Sequence, residues 1–178
     1  MGALAAPSEK TISFYQSEDG TTPPTRTVKI AASQGVWMPG AIGYVSESGT
    51  FKLADAATDS GSAYHGFILG TITSEASANT EFRMSVIRSQ DIYAVQLEND
   101  GTLVAEAQTY VGNDYIIDRS SVAGSIGFCT VDVNGTSNTA ITVVDIMSNV
   151  DPEKFNTSDT PGYALVKFLP AVITRNHA

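Results

Sequence analysis

The chain has 178 residues and a formal net charge of -9, with hydrophobic residues at 42% and charged residues at only 16%. That length supports one domain or two small lobes and buries roughly 70% of the unfolded surface, so a core forms without metal or disulfide staples. The acidic balance, with ten basic residues scattered along the chain, excludes a phosphate-tracking nucleic-acid surface and disfavours an anionic membrane.

Residues 1–27 differ from the rest. Pro7, the run Ser17 to Thr22 and Pro23-Pro24 oppose both helix and ladder pairing. The segment reads as an extended arm held by Ile12, Phe14 and Tyr15, or as a disordered terminus. From Thr27 the text becomes β. Val28, Ile30 and Ala32 alternate with Lys29 and Ala31, the period of a half-buried strand. Met38-Pro39-Gly40 is a turn, because Pro presets φ and Gly permits φ > 0. Strands are predicted over 41–46, 51–54, 64–72, 82–87 and 92–97. Glu98-Asn99-Asp100-Gly101 is a strong turn and a candidate boundary between lobes.

After that turn, 103–111 is the one plausible helix, with Gly112 placed as its C-terminal cap. Strands are predicted over 115–117, 125–133, 139–147 and 163–173, and Asn134-Gly135 signals a hairpin joining the second and third of these. The expected fold is therefore mainly β. It consists of small β-barrel or sandwich lobes with an extended N-terminal arm and at most one short helix. The boundaries are an arm at 1–27, a barrel-like lobe at 28–97 and a second β lobe at 98–178 packed on the first. Evenly spaced short strands separated by turns carry that expectation. No convincing short-period repeat stands out.

Chemistry is hard to assemble. The two histidines, His65 and His177, and the single Cys129 do not make the three or four ligands of a zinc site. Cys129 sits beside Phe128 and Val131 and reads as a small buried hydrophobe. Neither a nucleophile elbow nor a phosphate-binding loop is present. The loop carboxylates lack the spacing of a calcium loop. The expectation is a non-enzyme with no catalytic residue, metal site or cofactor. The start MGALAAPSEK lacks the features of a secretory signal, so export is not expected.

Three segments in order resemble the capsid decoration, or cement, proteins of tailed bacteriophages. They are Met38-Pro39-Gly40-Ala41-Ile42-Gly43-Tyr44-Val45, Ser48-Gly49-Thr50-Phe51-Lys52-Leu53-Ala54 and Tyr64-His65-Gly66-Phe67-Ile68-Leu69-Gly70. The second half is similar to phage structural proteins too, through Val111 to Asp118, Cys129 to Val133 and Leu165 to Pro170. The resemblance implies a structural protein on the outer capsid surface of the virion that binds the major capsid protein and bridges capsomers of the expanded shell. It also implies a homo-oligomer, a trimer or dimer, assembled in the host cytoplasm, which the lack of a secretory signal fits; the acidic balance argues against a nucleic-acid or membrane partner. Ile12, Phe14 and Tyr15 are candidate capsid contacts because extended segments dock by adding a strand. Trp37 and Met38 are second candidates, since Trp is enriched in interface hot spots; Trp37 reads as readily as core packing. The competing reading is a phage or bacterial β-rich adhesin that binds a receptor or glycan.

Overall fold

The computed structural model describes residues 12–33, 36–37, 39–46, 48–53, 65–73, 79–119 and 129–173. The chain is mainly β, organised as two closed five-stranded barrels. Strand β1 (Ser13–Ser17) precedes both. The first barrel is built from β2 (Thr25–Ile30), β4 (Ile42–Val45), β5 (Thr50–Leu53), β6 (Gly66–Ile68) and β8 (Thr80–Val86), in the ring order β2-β5-β4-β6-β8. Two short strands, β3 (Val36–Trp37) and β7 (Ile72–Thr73), pair with each other beside it. The period-2 text does what it dictates. Val28 and Ile30 are buried, Lys29 between them is exposed, and Phe51, Ile68, Phe82 and Met84 complete the interior. Gly43 is required by that interior: a Cβ there would fall 2.0 Å from the Lys52 carbonyl oxygen and 2.7 Å from the Phe51 ring.

The second barrel uses β9 (Asp91–Asn99), β11 (Asp114–Arg119), β12 (Cys129–Asp132), β13 (Ile141–Ile146) and β14 (Tyr163–Phe168). Strand β9 pairs with β12, β12 with β11, β11 with β13, β13 with β14, and β14 returns to β9. A short β10 (Thr102–Leu103) folds back on β9 through Asp100 and Gly101, both at positive φ. Helix α1 (Met147–Val150) has no side-chain cap of its own. The buried Glu106 takes that role, its two carboxylate oxygens accepting the Ser148 and Tyr163 backbone N–H groups at 2.9 and 3.0 Å.

The two barrels are copies of one topology. Numbered along the chain within each barrel, both rings run 1-3-2-4-5. In both, strands 1 and 3 are parallel while every other pair is antiparallel. Register matches around the ring. Ile30 lies beside Phe51 as Leu97 lies beside Val131, and Val45 faces Phe51 as Ile117 faces Val131. Ile68 faces Met84 as Val143 faces Val166, and Met84 faces Arg26 as Val166 faces Tyr93. Backbone hydrogen bonds repeat as well. Gly40 N–H donates to Ile68 and Gly112 N–H to Val143, each at 2.8 Å; Ile68 N–H donates to Ala41 and Val143 N–H to Asn113, each at 3.0 Å. Gly40 and Gly112 hold nearly the same left-handed φ, 86° and 84°. Side chains compensate between copies: Gly43 and Phe51 in the first barrel correspond to Tyr115 and Val131 in the second.

The barrels pack wall to end. Ile42 and Phe67, on the outer wall of the first barrel, join one cluster with Tyr93, Cys129, Ala140 and Phe168 of the second. Tyr93 is fully buried there and meets Phe14, Phe67 and Phe168 edge-on at 6.2, 5.8 and 5.6 Å. Its hydroxyl donates to Asp91 at 3.1 Å, and Arg88 donates to the same carboxylate through two nitrogens at 2.8 and 2.7 Å.

Several sequence expectations need correction. The lobe boundary falls at 87–90 rather than after 97, because β9 pairs in the second barrel; the Glu98–Gly101 turn is a hairpin inside that barrel. Strand β1 is a strand of the chain's own sheet, antiparallel to β9, and Thr25 to Thr27 belong to the first barrel. The segment 103–111 is not an α-helix and carries only a 3-10 turn at Gln108–Tyr110, since the Val104 N–H and carbonyl are bonded to Leu97 and Gly162. The Asn134-Gly135 turn does not make a hairpin of β12 and β13: both pair with β11, which lies between them.

Two outcomes follow from this packing. Removing 1–27 takes away β1 and half of β2 and opens the first barrel, so the truncated chain will lose cooperative unfolding by circular dichroism. Arg88→Ala leaves the Asp91 carboxylate buried without its cation and will lower unfolding free energy by about 3 kcal/mol in urea, whereas the exposed Lys29–Glu81 pair, broken by Lys29→Ala, will change it by less than about 1 kcal/mol.

Candidate contact surface

The residues singled out as contacts do not form one exposed patch. Ile12 is only 3% exposed and joins the cluster shared by the two barrels. Phe14 is half-buried against Tyr93. Tyr15 is half-buried on a separate cluster with Ile92, Tyr163 and Leu165. Trp37 is 3% exposed and packs on Phe51 at 5.8 Å inside the first barrel's core. Met38 lies outside the described residues. Ile12 and Trp37 therefore fasten the chain to itself; apolar anchors read the same in sequence whether they hold their own body or a neighbour's.

The surface carries a different apolar feature. Leu69 is 51% exposed and stands at an open cleft of about 600 Å³ in the first barrel, lined also by Thr25, Thr71, Ile72, Phe82 and Arg83. The cleft lies past the end of β6 at Ile68, along Thr80 to Arg83 of β8. Arg83 donates to the Thr25 hydroxyl across its floor, which fixes the guanidinium at the rim. In sequence Leu69 was visible only as a residue inside the strand predicted over 64–72.

One buried acid stands out on the second barrel. Glu98, Asp118, Thr130 and Asp132 lie side by side on the outer faces of β9, β11 and β12, with Glu98 opposite Asp132 and Asp118 opposite Thr130. Glu98 is fully buried, and neither of its carboxyl oxygens has a hydrogen-bond partner at bonding geometry among the described residues. Burial pushes its carboxyl up to about 7; the Thr130 hydroxyl opposes the shift and the Asp118 and Asp132 charges add to it. Among the described residues no cluster of three or more His, Cys, Asp or Glu is arranged to hold a metal ion. Cys129 is fully buried, which pushes its thiol up to about 12. That leaves essentially no thiolate at neutral pH. His65 accepts the Val45 backbone N–H on Nδ1 at 2.8 Å, and burial together with the Arg26 charge lowers its pKa.

No family model, curated protein or solved structure matches this chain.

The Glu98 environment dictates a pH dependence. Its folded pKa is raised above the unfolded value, so its stabilising contribution is complete below about 4.5 and is lost as pH rises through about 7. Glu98→Gln removes the titration. The unfolding free energy of the variant minus that of the wild type will be about 2 kcal/mol more positive at pH 8 than at pH 5, read from urea melts; a pH-independent difference would mean that Glu98 does not titrate in this window.

Proposed function

We propose that this chain is a non-enzymatic decoration protein that binds the outer surface of a tailed-phage capsid and cements its expanded shell. The observation that carries the reading is local. The segments resembling decoration proteins supply β4, β5 and β6, which are neighbours in one closed barrel, and the last segment includes the exposed Leu69 beside the cleft, just past the end of β6. Residues that resemble a family in order and also lie together in space are better support than scattered similarity. The contact assigned to the major capsid protein is the Leu69 cleft, replacing Ile12 and Trp37, which are committed to the chain's own cores.

The physics of such a clamp is linkage. A protein that binds only the expanded shell stabilises it by its binding free energy, repeated over many equivalent sites. Each contact can be small, because a two-barrel body joined through a buried aromatic cluster loses little conformational freedom on docking. The acidic surface suits the solvent side of a shell better than its DNA side.

The test compares expanded heads with unexpanded ones at matched salt. Expected is saturable binding to expanded heads alone, with a raised shell melting temperature. Leu69→Asp will weaken that binding by about tenfold or more while leaving the chain folded, since the side chain is half in solvent. Equal binding by the variant removes the cleft from the contact. Absence of binding to either head form, with selective binding on a glycan array, replaces the whole reading with the adhesin one.

A further inference from the structure

The duplication gives every surface of one barrel a counterpart on the other, and one pair of surfaces is already used. Inside the chain, the outer wall of the first barrel, through Ile42 and Phe67, covers the end of the second barrel, where Tyr93, Ala140 and Phe168 lie. The counterparts of those residues follow from the matched register. The wall of the second barrel presents Asp114 and Thr142, which pair with each other as Ile42 pairs with Phe67. The end of the first barrel presents Arg26, His65 and Val86, at the positions of Tyr93, Ala140 and Phe168. Asp114 and Arg26 are exposed; Thr142, His65 and Val86 are half-buried.

We propose that these two surfaces meet between copies of the chain, the second-barrel wall of one molecule seating on the first-barrel end of the next. The intramolecular contact and the proposed one are the same step taken twice. The chemistry differs in kind and matches across the gap. The wall offers a carboxylate whose orientation is fixed by the Thr142 hydroxyl, and the barrel end offers a guanidinium beside a half-buried imidazole. Where the internal contact sets Phe67 against Tyr93, the contact between copies would set Thr142 and Asp114 against Arg26. An internal interface can be apolar because it is never exposed; one that must form and part in water carries charge at its rim and gains specificity from it. The contact is heterologous, so repetition closes into a ring or runs on as a filament according to its rotation. It requires no shell and forms in free solution, which keeps it independent of the decoration reading.

The experiment is sedimentation of the full chain from low micromolar to several hundred micromolar. Wild type is expected to associate with rising concentration. Asp114→Arg and Arg26→Asp are each expected to weaken association by tenfold or more. The double variant, Asp114→Arg with Arg26→Asp, is expected to recover it, which no folding defect would do. A wild type that stays monomeric throughout, or a double variant no better than the singles, overturns the proposal. Oxidative crosslinking supplies a second readout, since the native Cys129 is buried. Mixing Arg26→Cys with Asp114→Cys should give the mixed disulfide; homodimers alone would overturn the proposed pairing.

Discussion

The phenol of Tyr93 is fixed at both ends, and most of the architecture depends on that. Its ring is buried among Phe14, Phe67 and Phe168, which come from the N-terminal strand, the first barrel and the second barrel. Its hydroxyl donates to Asp91, which Arg88 holds from the link between the barrels. Burial and the Asp91 charge push the phenol's pKa far up, so it is a neutral donor at neutral pH. Arg88 also donates to the Thr21 hydroxyl and its backbone carbonyl, which ties the polar turn after β1 to the same point. The Arg88–Asp91–Tyr93 bonds are local to the link and the start of β9, so they hold the phenol in place, and the first barrel is seated against it through the Phe67 ring.

Strand positions were legible where the local text was sufficient. The alternation through Val28 and Ile30 placed β2, and the Met38-Pro39-Gly40 turn placed the start of β4 through the left-handed φ at Gly40. Pairing was not legible. Asn134-Gly135 is an ordinary turn signal, yet the strands it joins are separated by β11. A turn specifies that the chain reverses and says nothing about which strand fills the space beside it. The segment around Glu106 failed as a helix for a related reason: the Val104 backbone is bonded to Leu97 and Gly162, and long-range backbone pairing outweighed local propensity. Anchor residues were found, but their destination was not. Trp37 has the residue type of a hot spot and Ile12 that of a docking anchor, and both have the burial of core.

The duplication was invisible in sequence because barrels conserve volume and direction rather than identity. Gly43 with Phe51 fills the same space as Tyr115 with Val131, one copy placing the large side chain on strand 3 and the other on strand 2. Interiors accept such exchanges when total volume is kept. The connections differ in length as well, so no single period relates the strands. What persists is what backbone geometry demands: a glycine at positive φ entering strand 2 and three repeated hydrogen bonds between strands 2 and 4. Surroundings differ too: Ile42 and Phe67 are buried against protein, whereas their counterparts are an exposed Asp114 and a half-buried Thr142.

The pairing of β1 with β9 has a consequence for how the chain is made. All five strands of the first barrel lie between Thr25 and Val86, so that barrel is complete in sequence before Asp91 leaves the ribosome. β1 precedes it but has no ladder until β9 follows. The N-terminal strand must wait through synthesis of a whole barrel, with Phe14 and Tyr15 unburied, and is then captured by the second barrel rather than by the one next to it. Long-range pairing of this kind is slow and leaves apolar surface open meanwhile. The polar Ser17–Thr22 turn and the proline pair behind it suit that interval, because they keep the waiting strand solvated and out of the ladder of the barrel forming beside it.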